Sequence, residues 1–175
     1  ADSTLPFHQH RDIFHLSGVD QEESILVLFP DCSNGNHREI LFLKETNEHI
    51  AVWEGAKLTK EKAFEVSGIK TVYWLKEFKT IFNQLVLESK QIYLNSNEHL
   101  RSNTSMETRE DRFVKIFKGE YPHHSIKRSA PIMHAIRATK NSFEIELMQN
   151  ACNITEKGFR SCLLYTSDAA DEVVS

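Results

Sequence analysis

Residues 23–44 read ESILVLFPDCSNGNHREILFLK. Two apolar runs flank a polar turn. The first closes on Pro30 and Asp31, and Asn34-Gly35-Asn36 supplies a turn signal before the second begins. Each run is as short as a strand and rich in the side chains that strands favour, so each reads as a strand, the first of them buried. Residues 48–55, EHIAVWEG, predict a third strand, and the three together predict a mostly antiparallel meander. Downstream the period changes. LTKEKAFEVSG reads as a short helix stopped by Gly68, which takes the left-handed position after a helix. IKTVYW predicts a strand. Leu75, Phe78, Ile81, Phe82, Leu85 and Val86 then recur at helical spacing along one stripe. Burying each such side chain is worth roughly 1.5–3 kcal/mol before entropy is counted, so this helix must dock on a sheet. QIYLN is the next strand. Strands that alternate with helices after a meander predict an α/β domain.

The rest of the chain limits the function classes. At 175 residues there is room for one domain and the beginning of another. A chain of this size buries roughly 68–70% of its unfolded surface. The net charge of −4 carries no basic block, which argues against a nucleic-acid partner. No apolar run approaches the roughly 20 residues that span a bilayer, and no basic-then-apolar leader opens the chain. The chain opens without Met, so Ala1 is read as a processed end or the edge of a fragment. Cys32, Cys152 and Cys162 are odd in number and widely spaced, the pattern of neither a disulfide framework nor a zinc ribbon. A cytoplasmic setting follows as the expectation.

After Asn95 the chain turns polar, and a helix is expected over residues 107–118, with Pro122 ending that region. SAPIMHAIRATKN reads as a lead-in to a last helix. Asn141 caps that helix and Glu144 completes a capping box. Ile145, Met148, Cys152, Ile154 and Phe159 form its apolar side. The closing residues, 161–175, shift to apolar and then to small and acidic side chains, with no clear period.

Candidate chemistry is sparse. FHQHRD, residues 7–12, is the densest polar cluster. On a strand His8 and His10 would share a face, and His15 lies nearby, a set that could attract a metal. A metal needs three or four converging ligands, and no Cys or Glu partner has suitable spacing. His123-His124 follows Pro122 in an expected loop. Trp53 sits beside Glu54 and Gly55 at a strand end, either finishing the core or walling a ligand ring. No nucleophile–base order, phosphate loop or zinc-peptidase motif is present.

Three stretches in order resemble the aminopeptidase P (Xaa-Pro aminopeptidase) branch of the creatinase/prolidase group. The first is LPFHQHRDIFHLSGVDQEESILVLFPD, where Phe7, Gln9, Asp12, Phe14 and Gly18 match and His15 departs from the usual second aromatic. The second is VWEGAKLTKEKAFEVSGI, similar to the Trp-x-Gly segment and its following helix. The third is IMHAIRATKNSFEIELMQNACNITEKGFR, similar to the junction into the catalytic domain, where Arg137, Lys140, Glu144 and Ile145 match.

The resemblance implies a mixed-sheet, ribonuclease-H-like N-terminal domain over residues 1–128. It implies a linker and the first helix of a pita-bread catalytic domain over residues 129–160. It implies a parent enzyme with two divalent metals, commonly manganese, that removes the residue ahead of a proline from peptides and forms homo-oligomers. The five metal ligands of the family lie downstream of the junction helix, so this chain is expected to hold no metal and no activity. Trp53 is implied as a substrate-pocket residue that often reaches a neighbouring subunit. Asp12 is implied as a charge that orients pocket or interface groups. Arg137 is implied as a junction residue whose fork of donors could hold a carboxylate, against an ordinary structural ion pair. Residues 161–175 are expected to be foreign, because Cys162 to Glu172 translate a DNA string that resembles a transposon-end sequencing adapter. The competing expectation is a non-enzymatic binding or oligomerisation module.

Overall fold

The computed structural model describes residues 7–47, 55, 57–96 and 107–171. The chain divides into two compact units, Ala1–Ser129 and Ala130–Ser175.

In the first unit the order is α1 (Arg11–Ser17), β1 (Ile25–Leu28), β2 (Glu39–Leu43), α2 (Lys60–Ser67), β3 (Thr71–Trp74), α3 (Phe78–Glu88), β4 (Gln91–Leu94), α4 (Arg109–Glu120) and β5 (Ser125–Arg128). β2 is central. It pairs antiparallel with β1, Ile25 opposite Phe42, and parallel with β3, Ile40 opposite Thr71. The pleat then sorts its side chains. Leu41 and Leu43 enter a cluster with Val19, Ala63 and Ile69. Ile40 and Phe42 enter a second cluster with Cys32 and Leu85. Alternation with period two therefore builds a core on each face of one strand. All four of these β2 side chains are fully buried.

The helices are punctuated by local chemistry. Gly18 and Gly68 take φ of 68° and 72° after α1 and α2, the left-handed geometry that a side chain disfavours. Thr108 caps α4 through a reciprocal box with Asp111. α3 and α4 carry a run of rings: Phe78 stacks on Phe82 at 4.9 Å, and Phe82 meets Phe113 at 5.7 Å and Phe117 at 6.1 Å. β4 and β5 pair in parallel as a separate two-stranded sheet. Mixed strands and helices are as the sequence led us to expect.

The second unit holds α5 (Ala130–Ala138) and α6 (Ser142–Asp171). Asn141 and Glu144 form the expected capping box, each backbone N–H donating to the other's side chain at 2.9 Å.

Several expectations need correction. FHQHRD is not a strand: His10 caps α1, because its ring nitrogen accepts the Asp12 N–H at 3.3 Å. The first pair of the expected meander is present, β1 antiparallel to β2, and β3, which follows α2, adds to β2 in parallel. The predicted strand over residues 48–55 lies, except for Gly55, outside the described residues. SAPIMHAIRATKN is not a plain lead-in, since its residues from Ala130 to Ala138 form α5, with Pro131 in the first turn where no N–H is needed. The closing residues do not break the last helix. It runs on to Asp171, helped by Leu163, Leu164, Ala169 and Ala170 and by the absence of Gly or Pro after Gly158.

Candidate functional site

The polar cluster at the start of the chain is held by main-chain geometry. Gln9 accepts the His10 N–H at 2.9 Å, and its amide donates to the Gln21 carbonyl at 2.7 Å. Gln21 in turn accepts the Leu58 N–H at 2.7 Å, tying the α1–β1 connection to the entry of α2. These bonds aim His8 and His10 into a cavity of about 700 Å³, whose walls include Glu22, Arg109, Phe78 and Phe113. Imidazoles, a carboxylate and a guanidinium around an aromatic floor suit recognition of a polar group attached to an apolar body.

Two carboxylates are anchored, Glu22 in the wall of this cavity and Glu88 away from it. Lys57, whose side chain is nearly buried, donates to Glu22 and holds its carboxyl below the ordinary value, with the Glu22 backbone N–H adding to the effect. Glu88, at the end of α3, accepts the Ser33 N–H at 2.5 Å and the Cys32 thiol at 3.7 Å. The Ser33 bond is the main reason that its carboxyl is also lowered. Sequence reading missed both the Glu88 clamp and the cavity-lining Arg109. Glu88 and Ser33 are 55 positions apart, and only the packing of α3 on the sheet unites them.

Of the three residues singled out from the sequence, Asp12 belongs to the first unit and Arg137 to the second. Asp12 is half-buried in the first turn of α1, where a negative charge suits the helix dipole. It does not line the 700 Å³ cavity. Arg137 is half-buried in the last turn of α5, in the second unit, where Lys140 donates to its carbonyl. Trp53 lies outside the described residues. His15 is exposed on α1. Among the described residues no group of three or more His, Cys, Asp or Glu converges as a metal site. The described residues therefore offer no ligand set for a two-metal centre.

The comparisons with known proteins decide the family. The aminopeptidase P N-terminal domain matches residues 1–93. This chain belongs to that family. Its fold superposes on a putative aminopeptidase P from Bacillus anthracis with a TM-score of 0.77 and 28% identity, over 91% of this chain and 38% of that one. Among curated proteins, the chain is 25% identical to human Xaa-Pro aminopeptidase 3, over 98% of its own length and 33% of the relative. It is 25% identical to intermediate cleaving peptidase 55 of Schizosaccharomyces pombe, over 90% of its own length and 32% of the relative. The chain thus spans about a third of the curated relatives it matches. A zinc-substituted aminopeptidase P from Escherichia coli, determined with product, shares the fold with a TM-score of 0.64.

Proposed function

We propose that this chain is the N-terminal part of a metal-dependent peptidase that removes the first residue of peptides with proline second. The observation that carries the reading is the family match over residues 1–93, continued by relatives that carry the name Xaa-Pro aminopeptidase and are about three times as long. In this reading the chemistry belongs to the remainder of the parent. Two divalent metals, manganese by family habit, activate the attacking water there. The 175 residues hold neither metal and are inactive alone. Residues 1–128 form the N-terminal domain, and residues 129–160 the linker and first catalytic-domain helix. Residues 161–175 are adapter read-through, which genomic sequence beyond the codon for Arg160 checks directly. Trp53, Asp12 and Arg137 serve the substrate pocket or the subunit interface of a homo-oligomer in the cytoplasm. No helix among the described residues is long and apolar enough to cross a membrane.

The test is an assay of Xaa-Pro peptide hydrolysis with manganese, run on the 175-residue chain and on the parent. The parent should turn over and the chain should not. A parent without activity would leave the alternative, a binding or oligomerisation module. Hydrolysis by the chain alone would overturn the placement of the metals.

A further inference from the structure

The cavity of about 700 Å³ lies where strands stop. Ile25 enters its wall as the first residue of β1, and it stands opposite Phe42 near the carboxyl end of β2. Leu43 is opposite Trp74, so β3 ends level with β2. Phe78, another wall residue, opens α3 soon after β3 ends. Asn95 joins the wall directly after the last residue of β4. β2, β3 and β4 therefore bring their carboxyl ends towards one crevice. Open sheets with parallel strands bind small molecules outside those carboxyl ends, where the connections part and leave a cleft. The volume falls within the roughly 300–1,000 Å³ of small-molecule sites.

The charges of the wall do not cancel. Glu22 is paired by Lys57, and Glu23 by Lys44 at 3.7 Å. Arg112 donates through Nη1 to the Glu107 carbonyl at 3.0 Å, a neutral acceptor that leaves its charge uncompensated. Arg109 makes no hydrogen bond or ion pair among the described residues. Glu110 is the one wall carboxylate without a lysine partner among the described residues, so two guanidiniums face one free carboxylate. His10 accepts the Asp12 N–H through Nδ1 at 3.3 Å, which keeps the proton of a neutral ring on Nε2 and makes that atom a donor. Arg109 and His10 are exposed, while Phe78 and Phe113 are half-buried with ring centres 6.1 Å apart. Donors therefore stand at the mouth and rings at the floor. A guanidinium with its fork unused takes a carboxylate through two parallel hydrogen bonds. The two rings offer edges and faces to an aromatic body. A cationic ligand would instead meet two uncompensated arginines.

We propose that this cavity is a binding site for a small aromatic carboxylate, with the carboxylate on Arg109 and the ring on Phe78 and Phe113. Cleavage of peptides neither requires this site nor follows from it, so the inference goes beyond the function proposed above.

Calorimetric titration of the 175-residue chain and of the parent with naphthylacetate tests it, with naphthylethanol and sodium sulfate as the bodies without charge and charge without body. Naphthylacetate should bind both proteins one-to-one with a Kd below about 1 mM, and at least about tenfold more tightly than either comparison compound. R109Q should weaken it at least about tenfold, and R109K should recover only part of the loss, because an ammonium lacks the fork. Arg109 is exposed, so R109Q should leave the urea melt unchanged and the lost binding reads the contact itself. E110Q should tighten binding about threefold by removing the one free carboxylate. F113L should weaken naphthylacetate and leave sulfate unaffected. Absence of binding, equal binding of the alcohol or of sulfate, or an R109Q chain that binds as the wild type would each overturn the proposal. Binding by the 175-residue chain but not by the parent would do so too, since the cavity would then be filled in the longer protein. A parent that binds naphthylacetate and cleaves no Xaa-Pro peptide would leave this site standing and remove only the enzymatic reading.

Discussion

In the first unit β2 holds Ile40, Leu41, Phe42 and Leu43 at 0% exposure, while in the second α6 leaves Phe143 at 66%, Ile154 at 71% and Phe159 at 68%. Both segments carry a clear apolar pattern in the sequence. β2 meets helices on both faces within about 50 residues of chain, so its pattern is satisfied locally. α6 carries apolar side chains that the described residues of its own unit leave exposed. An apolar period thus tells which face wants to leave water, while the supply of a covering partner is a separate fact. Proposed as the opening helix of a catalytic domain, α6 is what such a fragment should display.

The sharpest way to break that contrast is a pair of truncations followed by urea melts. F42A removes a buried ring that packs on Tyr73 at 5.9 Å and Phe78 at 5.1 Å, and should cost about 3–5 kcal/mol. F159A should stay within about 0.5 kcal/mol in this chain. A large cost for Phe159 would mean that its face is covered after all.

A second pair compares two tryptophans. Trp74 ends β3, packs against the Leu41–Leu43 core, and carries the Lys60 ammonium 5.0 Å from its ring centre. W74A should cost about 2 kcal/mol, less than full burial gives. W53A should leave the melt of this chain nearly unchanged and lower kcat/KM of the parent about tenfold or more, roughly 1.4 kcal/mol of transition-state binding. Several kcal/mol lost in the chain, with normal turnover in the parent, would make Trp53 a core residue.

Smaller still is the cap of α4. T108A deletes the hydroxyl that accepts the Asp111 N–H and donates to its carboxylate, while the Thr108 N–H keeps its bond to that carboxylate; it should cost about 1 kcal/mol, with T108S recovering most of it. The smallest effect is in acid. Glu22 and Glu88 have carboxyls lowered from 4.5, through Lys57 and the Ser33 N–H respectively. A carboxylate with a folded pKa below its unfolded one stabilises the fold above the unfolded value and loses that contribution as pH falls through the folded one. Stability should therefore hold from neutral pH down to about 4.5 and decline below it. E88Q should lessen that decline, and an unchanged acid profile would remove the clamp from the account.

Much of the first unit was legible because its signals are local. Gly68 marked the end of α2, the stripe from Leu75 to Val86 marked α3, and Asn141 with Glu144 marked the start of α6. β5 was hidden, since Ser125, Lys127 and Arg128 leave Ile126 as its one apolar side chain, and its pairing with β4 is what makes it a strand. α1 was hidden by the histidines, whose alternation suggested a strand until His10 proved to be a cap. Of the site, the sequence pointed to Asp12, Arg137 and Trp53 by resemblance. The cavity around His8, His10, Glu22 and Arg109 needs residues roughly 100 positions apart, and no sequence period links them.

By itself the sequence determined the α/β alternation, the apolar faces and the helix stops, because period, glycine conformation and capping bonds act within a few residues of chain. Tertiary structure decided the parallel pairing of β2 with β3, the anchoring of Glu88 to Ser33, and the parallel pairing of β4 with β5. Hydrogen bonds between distant strands depend on where the intervening chain returns, and that path is set by the packing of the whole domain.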